Sequence, residues 1–151
     1  MLENHILSFE YNQIDESLFI GTNICCLVHF KQELLDKGIT ADISLEADKL
    51  DLPFGVESYL WLPTPNNQIS KPNQLDLGVR HIEQLVNQNR KIYVHCQFGH
   101  GRGPSLIAAY YIYKGLSVDE AIAKIKSKRP SVHLKQNQYQ GLKDFQSKLN
   151  T

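Results

Sequence analysis

The stretch Lys91-Ile92-Tyr93-Val94-His95-Cys96-Gln97-Phe98-Gly99-His100-Gly101-Arg102 decides how this chain is interpreted. Its first four residues are typical of a buried strand, and the apolar run after Arg102 is typical of a helix. A loop between a strand and the first turn of a helix leaves backbone N–H groups free to converge on an anion, and the helix dipole adds positive potential. The sequence therefore predicts an anion-binding loop between Cys96 and Arg102.

The residue types inside this loop indicate what the anion is. Gly99, Gly101 and Gly103 allow positive φ angles and close approach of the backbone to a ligand. The planar guanidinium of Arg102 can bind two phosphate oxygens at once. A helix N-terminus and neighbouring cations favour the reactive thiolate form of Cys96. The loop is therefore predicted to hold a phosphate dianion above a nucleophile. An inert buried cysteine beside an ordinary glycine-rich turn would explain only part of this combination.

Composition and charge limit the kinds of partner and the cellular location that we expect for this chain. The chain has 151 residues and a formal net charge of zero, so no nucleic-acid partner is expected. No apolar stretch approaches the length needed to cross a membrane, and the polar start, Met1 to His5, lacks the apolar centre of a signal peptide. We therefore expect a cytoplasmic monomer that does not insert into a membrane.

Three cysteines cannot all pair, which favours free thiols in a reducing compartment. The adjacent Cys25 and Cys26 are expected to pack as small hydrophobic residues in a helix. An alternative is that they serve as redox partners for an oxidised Cys96.

Strands and helices are expected to alternate along the chain. Strands are predicted within residues 9–22 (two short strands), over 39–45, over 59–62 with an end at Pro63, and over 92–95. Helices are predicted from residue 22 or 23 to 35, from about 72 to 86, from Pro104 to the residue before Gly115, from the Ser117/Glu120 capping box to Arg129-Pro130, and over 139–149.

This pattern predicts an α/β fold in one domain, residues 1–151. Its centre is a mostly parallel twisted sheet of four to five strands, flanked by helices on both faces. The Cys96 loop then lies at the carboxyl end of a strand, where such folds usually bind ligands.

The chain resembles the cysteine-dependent dual-specificity phosphatases in their signature sequence. Here that signature is His95-Cys96, then five residues, then Arg102. The resemblance covers roughly residues 14–145. Further similar segments are residues 15–21, residues 38–45, Leu62-Pro63-Thr64-Pro65, and Arg129-Pro130 with Gln138 and Leu142.

The resemblance implies a phosphomonoester hydrolase that needs no metal or organic cofactor. Cys96 would attack phosphorus and form a phosphocysteine, which water then hydrolyses. His95 would orient the loop and keep the thiolate poised. The Arg102 side chain and the backbone amides of the loop would hold the phosphate oxygens. The amides are those of Gln97, Phe98, Gly99, His100, Gly101 and Arg102.

Asn66 departs from the family pattern, because relatives have an aspartate there to protonate the leaving oxygen. An amide cannot donate that proton, and loss of a general acid costs roughly 10²–10⁴-fold in rate. We therefore expect a slow phosphatase acting on phosphotyrosine or other aryl phosphates, and less readily on phosphoserine or phosphothreonine. His100 is either a substitute acid or a passive loop residue.

Other interpretations stay open for the domain as a whole. The domain could be a phosphate-binding pseudophosphatase or a phosphoinositide phosphatase with weak turnover. Its partner would be a phosphorylated protein or a small phosphomonoester.

Two further features carry open alternatives. Ser105 could assist phosphocysteine hydrolysis, because relatives place a hydroxyl directly after the arginine, or it could cap free N–H groups of the helix. A basic cluster could be a solvated helix end or an approach surface for an anionic substrate. It comprises Lys124, Lys126, Lys128, Arg129 and Lys135.

Overall fold

The computed structural model describes residues 7–151, so the polar segment Met1 to His5 lies outside the described residues. The strands are β1 (Tyr11–Gln13), β2 (Leu18–Gly21), β3 (Ile39–Glu46), β4 (Ser58–Thr64) and β5 (Lys91–His95). A 3₁₀ turn spans Asn23–Cys26, and the helices are α1 (Gln32–Asp36), α2 (Pro72–Asn87), α3 (Arg102–Tyr113), α4 (Val118–Lys128) and α5 (Gln136–Leu149).

The five strands form one sheet in the order β1-β2-β5-β3-β4. β1 pairs antiparallel with β2, and the remaining pairs are parallel. The central strand, β5, leads directly into the predicted anion-binding loop. The mostly parallel sheet predicted from the sequence is therefore confirmed.

Hydrophobic side chains of the sheet are buried on both faces. In β5, Ile92 and Val94 pack in the larger core with residues of α2 to α5. Tyr93 lies in a smaller cluster that includes Phe19 and Leu34 of α1. This alternation follows from the two-residue period of a strand. It confirms the α/β architecture with helices on both faces.

The segment predicted as one helix to residue 35 forms two separate pieces. The 3₁₀ turn ends at Cys26, and α1 begins only at Gln32. Cys25 and Cys26 are joined by a disulfide, and Cys96 is the free cysteine. The two side chains pack in the smaller hydrophobic cluster, as predicted, but the prediction of free thiols is wrong for this pair.

Two element boundaries near prolines also differ from the prediction. β4 continues through Pro63 to Thr64, which is possible because β4 is an edge strand and the missing N–H need not serve a neighbour. α3 begins at Arg102, two residues before Pro104. Pro104 still lies in the first turn, where backbone N–H groups have no partner within the helix.

The interior position of α3 agrees with its apolar sequence. Every residue from Arg102 to Ile112 is buried. Among residues 7–151, no helix combines the length and apolar character needed to cross a membrane.

Candidate active site

Cys96 lies directly after β5, at a cavity of about 250 Å³. Its side chain is only 3% exposed, and the backbone N–H of Gly103 points at its sulfur from 3.5 Å. Gly99 takes a φ of +73°, which lets the loop curl back toward the start of α3. The sulfur thus lies beside a backbone donor at the N-terminus of a buried helix.

The cavity wall contains most of the loop residues predicted to bind phosphate. The lining residues are Asn66, Asn67, Cys96, Gln97, Phe98, His100, Gly101, Arg102, His133, Lys135 and Gln138. Three predicted residues do not line it: His95 ends β5, Ser105 lies in α3, and Gly99 lies in the loop against Gly21 and Arg129.

Arg102 is fixed at the junction between the loop and the end of β4. Its Nη1 donates a hydrogen bond of 2.9 Å to the carbonyl oxygen of Thr64. The Thr64 hydroxyl lies 2.7 Å from the Ser70 hydroxyl, which holds the two ends of the 64–70 segment together. The guanidinium is therefore positioned in the cavity wall before any ligand binds.

Asn66 lines the cavity, as its alignment with the acid position predicts. Two hydrogen bonds connect its loop to α5: Asn137 donates to the Asn67 carbonyl at 2.9 Å, and Gln138 donates to the Gln68 carbonyl at 3.0 Å. Among residues 7–151, no aspartate or glutamate lines the cavity. The carboxylic acid used by relatives is thus missing from the wall, and not only from its usual position in the sequence.

Two histidines face the same cavity. The rings of His100 and His133 are 5.1 Å apart, and the His133 backbone N–H donates to the His100 carbonyl at 2.9 Å. His133 was not a sequence candidate. It follows Arg129-Pro130, where the preceding helix was predicted to end. Nothing in the sequence around His133 indicates that this segment folds back onto the Cys96 loop.

Arg129 does not belong to the basic surface cluster predicted from the sequence. It is only 2% exposed and donates to the carbonyls of Gly99 and Phe98 at 3.0 and 2.7 Å. A third bond, of 2.6 Å, reaches the Asn12 side chain. Its planar fork matches several acceptors at once, so Arg129 braces the loop from outside the cavity.

The lysines of the predicted cluster divide into two groups. Lys135 lines the cavity, whereas Lys124 lies over the Tyr111 ring at 4.4 Å. Lys126 and Lys128 are exposed in the last turn of α4, where the helix dipole favours cations. Only Lys135 is placed to meet an anion in the cavity.

His95 is completely buried between two carboxylates, on the side of the loop that does not line the cavity. Its Nε2 lies 2.7 Å from Asp51 Oδ2 and 3.3 Å from Asp42 Oδ1. Burial alone would lower the pKa of His95, but the charges and hydrogen bonds of Asp42 and Asp51 raise it to about 10. The imidazolium therefore links the loop to β3 and to the segment after it.

The two carboxylates respond in opposite ways. Burial raises the pKa of Asp42 to about 7, despite the nearby His95 charge. Burial also acts to raise the pKa of Asp51, but hydrogen bonds from His95 and Asp42 lower it below the usual value. The sequence contained one signal for this group, since Asp42 interrupts the apolar residues of β3. Asp51 lies 44 residues from His95 and gave none.

The Ser105 hydroxyl donates a 2.6 Å hydrogen bond to the Gly101 carbonyl. It does not cap the N-terminus of α3, so that alternative is not what the structure shows. Its assistance in hydrolysis stays a prediction.

Comparison with known proteins gives a consistent family match. A sequence model described as "Dual specificity phosphatase, catalytic domain" matches residues 18–148. The chain is 29% identical over 147 residues to "Phosphatidylglycerophosphate phosphatase PTPMT2" of Arabidopsis thaliana, covering 89% of this chain and 62% of that protein. It is 30% identical over 74 residues to "Protein-tyrosine-phosphatase IBR5" of the same plant, covering 48% of this chain and 29% of that protein.

The fold is also similar to that of a solved structure. The crystal structure of human DUSP28 aligns with a TM-score of 0.82 at 20% identity and covers 92% of this chain and 97% of that one. The present chain spans less than two thirds of the length of either plant relative.

Proposed function

The chain belongs to the dual specificity phosphatase family, and we propose that it hydrolyses phosphate monoesters through a covalent intermediate at Cys96. One observation supports this above the others. A single cavity brings together the free Cys96 sulfur, the backbone of its loop and the fixed guanidinium of Arg102. Phosphate binding and nucleophilic attack would therefore occur in the same place.

In the first step, the Cys96 thiolate attacks phosphorus and forms the S–P bond while the bond to the leaving oxygen breaks. Backbone N–H groups of the loop and the Arg102 side chain stabilise the charge on the three remaining oxygens. The Arg102 guanidinium is held by the Thr64 carbonyl, which supports a site that needs little reorganisation at the moment of reaction.

In the second step, a water oxygen attacks phosphorus and the S–P bond breaks. The products are inorganic phosphate and a regenerated Cys96 thiolate. The Gly103 N–H, which points at the sulfur, would stabilise the thiolate as it leaves.

The cavity favours substrates whose leaving group needs no proton. A phenol has a pKa of about 10 and departs as an anion far more readily than a serine alkoxide. With Asn66 in the wall and no carboxylate beside it in the part of the chain that the structure describes, we propose a preference for phosphotyrosine-like aryl esters. His100 and His133 are the candidate proton donors for slower alkyl substrates.

The experiment compares the parent chain with Cys96→Ser on p-nitrophenyl phosphate. We expect the variant to lose hydrolysis, and acid quenching of the parent during turnover to trap a chain carrying one phosphoryl group on Cys96. Equal melting temperatures of the two chains would show that the loss is not due to unfolding. Undiminished hydrolysis by Cys96→Ser would exclude the proposed nucleophile.

A lipid phosphate is the second candidate substrate, because one relative is named as a phosphatidylglycerophosphate phosphatase and matches most of this chain. Lys135 in the cavity wall offers a cation to such a headgroup. A panel of aryl phosphates, phosphopeptides and phosphatidylglycerophosphate vesicles would rank these classes. Oxyanion binding with no turnover of any substrate would support the phosphate-binding alternative instead.

A further inference from the structure

A second group of reactive side chains lies near His95, outside the catalytic cavity. The group contributes five possible metal-binding atoms, one sulfur, nitrogen or carboxylate oxygen from each residue, and these atoms all lie within 4.8 Å of one another. The residues are Cys25, Cys26, Asp42, Asp51 and His95. Cys26 Sγ lies 3.6 Å from Asp42 Oδ2, and His95 Nε2 lies between the two carboxylates. The group joins the 3₁₀ turn, β3, the segment after β3 and the end of β5.

One carboxylate oxygen in this group is only weakly satisfied by the surrounding protein. Asp42 is fully buried, and among residues 7–151 its Oδ1 has an ion pair of 3.3 Å with His95 Nε2 but no hydrogen bond of ordinary geometry. The same Nε2 lies closer to Asp51, at 2.7 Å, and makes its hydrogen bond there. Sharing one nitrogen leaves the buried Asp42 oxygen short of partners, which is costly. A metal ion placed between these side chains would supply a further partner.

The donor set matches one metal closely. Zinc is bound by cysteine sulfur, histidine nitrogen and carboxylate oxygen, and four such ligands around it are about 3.3–3.8 Å apart. The observed spread of up to 4.8 Å therefore requires only small side-chain movements. We propose that the reduced chain binds one Zn²⁺ through the thiolates of Cys25 and Cys26, the His95 ring and a carboxylate oxygen of Asp42.

The oxidation state of the two cysteines determines whether this site exists. In the disulfide form, neither sulfur is the thiolate that binds metal. A phosphine reductant breaks the S–S bond, takes up one oxygen atom from water and leaves two thiols. Zinc binding then displaces one proton from each thiol and one from the His95 imidazolium, and the three protons pass to solvent. The site is therefore open only in the reduced chain.

The test titrates the full chain with Co²⁺, a spectroscopic substitute for Zn²⁺, under anaerobic conditions after phosphine reduction. We expect a thiolate-to-cobalt charge-transfer band that saturates at one equivalent and disappears when Zn²⁺ displaces Co²⁺. The disulfide form should show no band. Zinc should also raise the melting temperature of the reduced chain alone. A reduced chain without the charge-transfer band would overturn the proposal.

Two variants locate the metal. The double variant Cys25→Ser, Cys26→Ser should lose the band and bind zinc at least about 100-fold more weakly, beyond the 10–100-fold typical of an outer-shell change. The matched control, Cys96→Ser, removes the third cysteine and should keep the band. The opposite result would place the metal at Cys96. If the double variant does not fold, the reduced and disulfide forms of the parent chain decide the question.

Zinc binding is measured without a phosphate substrate, so its outcome is independent of the proposed hydrolase activity.

Discussion

At the scale of single residues, Asn66 has the clearest chemical consequence. It lies in the cavity wall where a carboxylic acid would protonate the leaving oxygen. We expect Asn66→Asp to raise kcat/KM for alkyl phosphates by about 10²-fold, the lower end of general-acid effects. Aryl phosphates should change far less, because their leaving groups need no proton. Steady-state kinetics on matched aryl and alkyl esters would measure both.

Asn67→Asp is the matched control for this change. Asn67 lines the same cavity and has a φ of +65°, a conformation that aspartate also tolerates. It should leave the ratio of alkyl to aryl turnover unchanged. If both variants raise alkyl turnover equally, a general increase in negative charge is responsible and Asn66 does not occupy the acid position.

Gly99 illustrates how backbone shape supports the loop. A Cβ at this position would lie 2.9 Å from the Gly21 carbonyl oxygen and 3.0 Å from the Arg129 guanidinium. We expect Gly99→Ala to destabilise the chain by about 2–4 kcal/mol, combining positive-φ strain with overpacking. Urea unfolding would measure the loss.

Gly115→Ala separates these two costs. Gly115 also has a positive φ, of +111°, but a Cβ there meets no atom within 4 Å. Its alanine variant should lose only the backbone contribution and remain the more stable of the two. Equal losses would mean that the contacts of Gly99 contribute nothing.

At the scale of elements, Arg129 connects the end of α4 to the loop and to β1. Arg129→Met would leave several acceptors without their donor. We expect a loss of about 2–4 kcal/mol together with weaker phosphate binding, because the loop backbone loses its brace. Chemical denaturation and phosphate titration would record the two effects. Lys128→Met, one residue earlier and exposed, should stay within about 0.5 kcal/mol of the parent.

The start of α4 predicts a pH-dependent stability. The Ser117 backbone N–H and hydroxyl form a capping box with Glu120, and these bonds lower the pKa of Glu120. A lowered folded-state pKa adds stability that is present above the unfolded pKa and is lost as the pH falls through the folded value. Ser117→Ala should cost about 0.5–2 kcal/mol at pH 7, but it keeps the backbone N–H that is the larger cause of the shift. Glu120→Gln removes the titrating group, and its cost should be present at pH 7 and shrink in acid.

Thermal unfolding at a series of pH values would test this dependence. Ser127→Ala is the control, because the Ser127 hydroxyl only donates to the Lys124 carbonyl at the other end of the helix. A Glu120→Gln effect that is constant down to pH 3 would contradict the role of Glu120.

At the scale of the whole molecule, ligand binding to the loop should stabilise the entire fold, because the loop joins the central strand to the buried α3. Vanadate at about 100 times its dissociation constant should add about 2.7 kcal/mol. For a chain of this size, that is a rise in melting temperature of roughly 5–10 °C. Sodium chloride at equal ionic strength is the control, and Arg102→Lys should lose most of the shift. Equal shifts with both salts would argue against a specific site.

Structural features that depend on a few consecutive residues could be predicted from the sequence. The Cys96 loop, the capping box at Ser117 and the turn at Gly38 each depend on a few consecutive residues, and the structure contains all three. The lysine-rich end of α4 misled the prediction for Arg129, because cations are usually solvated there.

Contacts between distant segments could not be predicted in the same way. His95 meets Asp51 across 44 residues, and Arg129 meets Asn12 across 117. Such pairs depend on the order of strands in the sheet, which hydrophobic periodicity does not specify. The disulfide between Cys25 and Cys26 could not be predicted either, because an apolar helical pattern does not specify whether two adjacent sulfurs are joined.

The margins of the sheet affect how this protein behaves at high concentration. One margin, β1, offers only three residues, and the other, β4, contains Pro63, which has no N–H to give. A strand from another molecule could not form an unbroken ladder along either side. The folded chain is therefore protected against lateral pairing with a second copy, even though its centre consists of parallel strands that carry β-branched residues.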